Sequence, residues 1–261
     1  MNLSELVEMR GFTLNNKIKL VRHKDSNYDI QSMYRNGFLD FYQSTQIKDV
    51  FGNCEYIMSF LGDEGTKTTY IGTYKKLSTQ KLDLSQIPNG YPITAEDVLS
   101  SDHYYYEFEK IDLLADLIDR LVIEWGKSTR SWFQWLSKSH DKNIVEILPP
   151  GYVSHFPGYD EVFLNFSGLE MIINHQDSNR VWYTMLGSVA GVYLIVDTVT
   201  GLQYVGSAYG EEGILGRWKS YVKTKHGGNK ILVELLEKDP NRYQKFQSSI
   251  LHTADGTLLK A

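Results

Sequence analysis

The tightest constraint on the fold of this chain is a pair of β-rich runs near its C-terminal end, separated by a short polar loop. Val192-Tyr-Leu-Ile-Val196 and Leu202-Gln-Tyr-Val205 enclose Asp197-Thr-Val-Thr-Gly201, and the closing glycine marks a β-hairpin. A four-residue loop over 198–201 pairs Asp197 with Leu202 and sets Tyr204 opposite Ile195. Side chains alternate along a strand, so Tyr193 and Tyr204 then project from one face, a diagonal step apart. A single bulge would reverse that parity. A helix follows over about 214–223 and places Arg217 and Tyr221 four residues apart, on one side. A second helix over 231–236 and a returning strand over 246–251 complete the pattern.

Charge is unevenly spread around this hairpin. The 261 residues hold 27 Lys and Arg against 32 Asp and Glu, a net of −5, so bulk basicity gives no support for nucleic-acid binding. Residues 187–261 nevertheless carry nine basic and seven acidic side chains. Between 213 and 233 stand Arg217, Lys219, Lys223, Lys225 and Lys230 with no acid among them, a stretch built to tolerate anions. At 42% apolar and with only 6 prolines, the chain is neither disordered nor collagen-like. No run approaches the length of a membrane span, and the first ten residues lack a cationic run before an apolar core. The expectation is a soluble, cytoplasmic protein of one or two domains. Cys54 is the sole cysteine, which excludes a disulfide framework and reads as a small buried apolar residue.

The remaining elements are β-rich. Strands are predicted over 17–24, 55–61, 68–74, 104–110, 120–125 and 144–151, with Pro149-Pro150-Gly151 as strong punctuation. A helix is predicted over 29–51, with Gly37 as a break, and a helical connector over 167–186. Two near-motifs fail. Gly126-Lys-Ser-Thr129 imitates the end of a phosphate-binding loop, but Leu121 stands where its first glycine belongs. The seven histidines form no pair at metal-ligand spacing, so no zinc site is expected.

Gly191-Val192-Tyr193, ten residues, then Tyr204-Val205-Gly206, then Arg217 opening a helix, resembles the GIY-YIG nuclease family. The resemblance covers about 189–251, with Val192 and Val205 in place of the family's two isoleucines. It implies a small domain with a short antiparallel sheet flanked by helices, and hydrolysis of DNA phosphodiesters with a divalent metal, Mg2+ or Mn2+. In that reading Tyr193 is the base or the partner of the attacking water, and Tyr204 positions water and phosphate. Arg217 stabilises the pentavalent phosphorus, and Tyr221 stands where members carry His or Tyr. A basic tyrosine needs a nearby cation to favour phenolate, which Arg217 or a metal supplies. Gly206 keeps the backbone flat beside the substrate, and Lys219 and Lys223 are phosphate contacts. His226-Gly-Gly-Asn229 reads either as a phosphate nest, with His226 and Asn229 on the substrate, or as an ordinary helix–helix turn. The family's metal-binding glutamate has no counterpart, because no Glu follows Glu237. The expectation is a chain cut short before that ligand, with Asp255-Gly256 as a turn and a helix beginning at Thr257, or else a substitute carboxylate. Such a chain binds DNA better than it cuts it.

The first half, in the order strand, helix, strand, strand and further strands, suggests a compact mixed β-barrel. Through Tyr56-Ile-Met-Ser-Phe-Leu-Gly62 and Tyr70-Ile-Gly-Thr-Tyr74 it resembles the PUA-like superfamily, which includes readers of modified bases. That resemblance implies a flipped base stacked in an aromatic pocket, with Trp125, Trp132 and Trp135 as candidates. Arg22, His23 and Lys24 are then phosphate or base contacts; the alternative is core tryptophans and a solvated strand exit. The expected molecule is α+β, with a recognition domain over 1–165, a helical connector over 166–186 and a nuclease domain over 187–261. Its expected role is a restriction enzyme acting on double-stranded DNA with modified bases, possible as a homodimer because one such site cuts one strand at a time. The alternatives are a DNA-binding module without cleavage and a repair or mobile-element nuclease.

Overall fold

In the computed structural model, which describes residues 1–63, 65–93, 99–127 and 130–255, helix α1 (Leu3–Met9) precedes strand β1 (Ile18–His23). The predicted helix over 29–51 is instead two short ones, α2 (Ile30–Arg35) and α3 (Leu39–Ser44), separated at Gly37, whose φ of 77° a helix cannot accommodate. Residues after Ser44 leave the helix because β2 (Thr45–Gln46) pairs with β5 (Tyr104–Ile111), which lets Phe51 enter the core. Between them run β3 (Tyr56–Gly62) and β4 (Lys67–Lys81), strands expected over 55–61 and 68–74, which pair antiparallel. Strands β6 (Leu121–Glu124), β7 (Phe133–Trp135) and β8 (Ile144–Ile147) follow.

These strands form a mixed sheet of order β2-β5-β4-β3-β1-β7, with β6 on β4 and β8 on β6. β1 is parallel to β3 and the other pairs are antiparallel. The sheet curls into a half-barrel because β4 is 15 residues long and changes partner, from β6 at Lys67–Thr69 to β5 from Thr73 onward, through bulges that bend it. One side of it holds Leu20, Met58, Phe60, Tyr70, Leu121 and Trp125. Val21, Phe51, Ile57, Tyr74 and Tyr106 pack on the other side. β1 is thus buried on both faces along its whole length.

The chain divides into Met1–Leu148 and Pro149–Ala261, so the boundary falls at the Pro-Pro-Gly punctuation rather than at 165. In the second unit β9 (Phe163–Asn165) leads into α4 (Phe166–Asn174) and α5 (Arg180–Gly187). The segment read as a connector is therefore two helices, and Leu169, Ile172, Trp182 and Leu186 are buried with Ile195 and Trp218 in one core. A linker would not bury four large apolar side chains.

Then come β10 (Val189–Asp197), β11 (Gln203–Ala208), α6 (Gly213–Thr224), α7 (Lys230–Lys238) and β12 (Phe246–Asp255). The sheet is antiparallel, in the order β11-β10-β12-β9. β12 continues through Asp255, where a turn was expected, and the helix expected from Thr257 lies outside the described residues. At the hairpin loop the buried Asp197 carboxylate accepts hydrogen bonds from Val199 N, Thr200 Oγ1 (2.6 Å) and Arg242 Nε (2.9 Å). Burial alone would raise its pKa, but the bonds from Arg242, Thr200 and Val199 hold it below the ordinary carboxylate range. Among the described residues no helix is long and apolar enough to cross a membrane.

Candidate active site

The β10–β11 register puts Tyr193 opposite Gly206 and Tyr204 opposite Ile195, as the loop length predicts. Gly206 is required at its place. A Cβ there would collide with the phenol carbons and oxygen of Tyr193, whose ring lies across β11. Helix α6 brings Arg217 against the same ring. Its Nε donates to the Tyr193 hydroxyl at 3.0 Å, and that hydroxyl donates to the Tyr221 hydroxyl at 3.2 Å. The Arg217 guanidinium also lies 5.0 Å from the centre of the Tyr221 ring, a cation–π contact made possible by the four-residue spacing. Trp218 packs edge-on against Tyr193 and fixes its plane.

These three polar groups line a cleft of 760 Å3, with Val205, Ser207 and Tyr209 along the strand exit and Glu211 and Glu212 before the helix. Arg217 has no carboxylate partner among the described residues. Its pKa is raised first by the hydrogen bond to Tyr193, so its charge is permanent. Burial pushes the Tyr221 phenol above its ordinary value, the bond with Tyr193 adds to this, and Arg217 opposes both. The result is a fixed cation beside a two-hydroxyl chain in a partly desolvated pocket. Such a group can bind an oxyanion and pass a proton.

Asn229 also lines the cleft, but its Oδ1 is engaged in capping α7 through Ile231 N and Leu232 N. The turn before it reaches the site because Gly227, at φ 56°, packs flat on the Tyr221 ring, where a Cβ would sit 2.8 Å from ring carbons. The backbone amides of this turn are not free for phosphate: Gly227 N donates to Thr224 Oγ1, Gly228 N to His226 Nδ1 and Asn229 N to His226 O. The turn satisfies itself, and His226 belongs to it rather than to the cleft.

Tyr204 departs from expectation. It shares a face with Tyr193, yet its ring is in the core, its hydroxyl is buried without a hydrogen-bond partner, and it does not line the cleft. Burial raises its pKa, and Asp197 adds to the rise. Lys219 forms an ion pair with Glu212 at 2.7 Å and lies over Tyr183, while Lys223 is exposed away from the cleft lining. Lys225 pairs with Glu170 at 2.9 Å. The basic stretch is acid-free in sequence only.

Val205, named from sequence only as a motif residue, lines the site too, as do Ser207, Tyr209, Glu211, Glu212 and Ser220, none of which was singled out from sequence. Ser220 was accessible to the helical argument, three residues after Arg217; the others required the fold of the β11–α6 loop. The carboxylate set for a divalent ion is incomplete among the described residues. Among the described residues no three His, Cys, Asp or Glu side chains gather, and of the two cleft carboxylates Glu212 is held by Lys219.

In the first unit Arg22 and His23 are buried in β1 rather than presented at a strand exit. Arg22 Nη2 donates to Gly65 O, and its Nε has no partner. His23 bonds Gln43, and burial lowers its pKa to about 4, so it is neutral at pH 7. Lys24 donates to Asp63 O. The three tryptophans do not make one pocket. Trp125 is fully buried with its Nε1 on Ser131 O. Trp132 packs on Phe51 in a different cluster, and Trp135 is 43% exposed beside Lys19. Ser128 and Thr129 of the failed phosphate-loop motif lie outside the described residues. Comparison with known proteins finds no matching family model, no matching curated protein and no matching solved structure.

Proposed function

We propose that the second unit is a GIY-YIG-type endonuclease that hydrolyses phosphodiester bonds in double-stranded DNA. One observation carries this reading: the hydrogen-bonded chain Arg217–Tyr193–Tyr221 at the floor of a cleft, built from the strand, turn and helix that bear the motif. Arg217 holds a non-bridging phosphoryl oxygen and offsets the negative charge that grows as water attacks phosphorus. The water's proton passes to the Tyr193 oxygen while Tyr193 passes its own to Tyr221, whose hydroxyl delivers it to solvent in the cleft. The departing sugar oxygen takes a proton from water.

Nicking of supercoiled plasmid by the full chain, in buffer with Mg2+ or Mn2+, tests the reading. Tyr193→Phe is expected to slow cleavage about 100- to 10,000-fold, and Arg217→Ala about 100- to 1,000-fold. A wild-type chain that cuts no DNA in either ion overturns it. The second reading, a DNA-binding module without cleavage, is favoured by the incomplete carboxylate set at the cleft. For the first unit we propose a PUA-like reader of modified bases, supported by its curled mixed sheet, and with it a restriction role. Binding of methylated and hydroxymethylated duplexes against plain DNA checks this, and equal affinity for all three counts against it.

A further inference from the structure

We propose that the Tyr209 ring is a stacking platform for a nucleobase adjoining the phosphate held by Arg217; this deepens the nuclease reading of the same cleft and rests on it. Tyr209 follows the last residue of β11 and is 76% exposed, whereas Tyr193 and Tyr221, the other aromatic residues of the cleft, are buried. Leaving so large a ring in water forgoes the stabilisation that its burial would give. Among the described residues Tyr209 has no hydrogen bond, ring–ring contact or cation. Val205, which also lines the cleft, is 64% exposed as well.

The chemistry of the rim selects the part of a nucleotide that fits there. Glu211 lines the same cleft and, unlike Glu212, is not engaged by Lys219, so its carboxylate disfavours a second phosphate beside Tyr209. Arg217 is the cationic side chain on the cleft wall. An uncharged flat base on Tyr209, with its phosphate on Arg217, satisfies both ends. Every base has a π face, so the platform adds affinity without reading sequence.

Duplexes carrying 2-aminopurine at successive positions serve as the probe, with the full chain and its Tyr209→Ala, Tyr209→Phe and Tyr209→Trp variants. Wild type, Phe and Trp are expected to quench the fluorophore at one position, and Ala to abolish that quench. Ala should weaken binding about tenfold with an unchanged salt dependence. Arg217→Ala, by contrast, should reduce the slope of log K against log salt by about one. Quenching by Ala equal to wild type, or loss in Phe as severe as in Ala, overturns the stacking role. Plasmid cutting sorts the two readings. DNA cut with no Tyr209 effect removes the platform and keeps the nuclease. A Tyr209-dependent quench without cutting keeps the platform and removes the hydrolysis. No DNA bound at all removes both.

Discussion

Gly206 lacks a side chain because Tyr193 fills the space one would occupy. Gly206→Ala is therefore expected to lower stability by about 1–3 kcal/mol and to displace the Tyr193 hydroxyl from Arg217, read as a lower denaturation midpoint and slower plasmid nicking. Tyr204 makes the opposite case. Its hydroxyl is buried and unpartnered, so Tyr204→Phe should leave stability unchanged or raise it by about 1 kcal/mol. Nicking at the wild-type rate is expected, although the motif alone would make this tyrosine essential. The sequence argument reached the right face for both tyrosines, since alternation and loop length determine face. Position along a face is another matter: the cleft lies over Gly206, and Tyr204 is displaced from it toward Asp197. Arg217 and Tyr221 were legible because helical spacing determines both the side they share and their distance.

Single elements were readable where punctuation was strong and obscure where pairing decided the outcome. The hairpin register follows from four loop residues, and the break at Gly37 from one glycine. β1 was readable as a strand, but its Arg-His ending suggested solvent. Pairing with β3 on one side and β7 on the other, under covers on both faces, buried those residues instead. His23 gives this burial a pH signature. Its folded pKa of about 4 lies below the ordinary value of 6.5, so the unfolded chain binds the extra proton first. The contribution of His23 to the stability of the first unit is full above about pH 6.5 and falls as pH drops toward 4, by at most about 1.4 kcal/mol per pH unit. Equilibrium unfolding across that range should show a shallower dependence in His23→Gln, provided the variant keeps the bond to Gln43. α7 rests on a local cap, and Asn229→Ala should cost about 1 kcal/mol, measured by thermal unfolding.

At the scale of the whole molecule, each unit has its own core and its own sheet, and the division falls at Pro149-Pro150. A fragment spanning 149–261 is expected to fold alone, with dispersed amide resonances; a collapsed spectrum would mean that its core is incomplete. Composition could not locate this border, because the helices at Phe166–Asn174 and Arg180–Gly187 read as linker until their apolar faces are seen against the second sheet. Nor could charge counting foresee that Glu170, distant in sequence, and Glu212, at the N-cap of α6, would neutralise two of the five cations around that helix.

The Asp197 carboxylate acts as a clasp at the far end of the hairpin. It ties the loop to Arg242, just ahead of the strand that flanks β10 on its other edge. Slippage of the hairpin by one residue would turn Tyr193 to the opposite side of the sheet and scatter the hydroxyl chain. Alignment of the chemistry is thereby insured by a buried acid that never meets the substrate, and wear at that remote anchor would be felt first as misplaced protons.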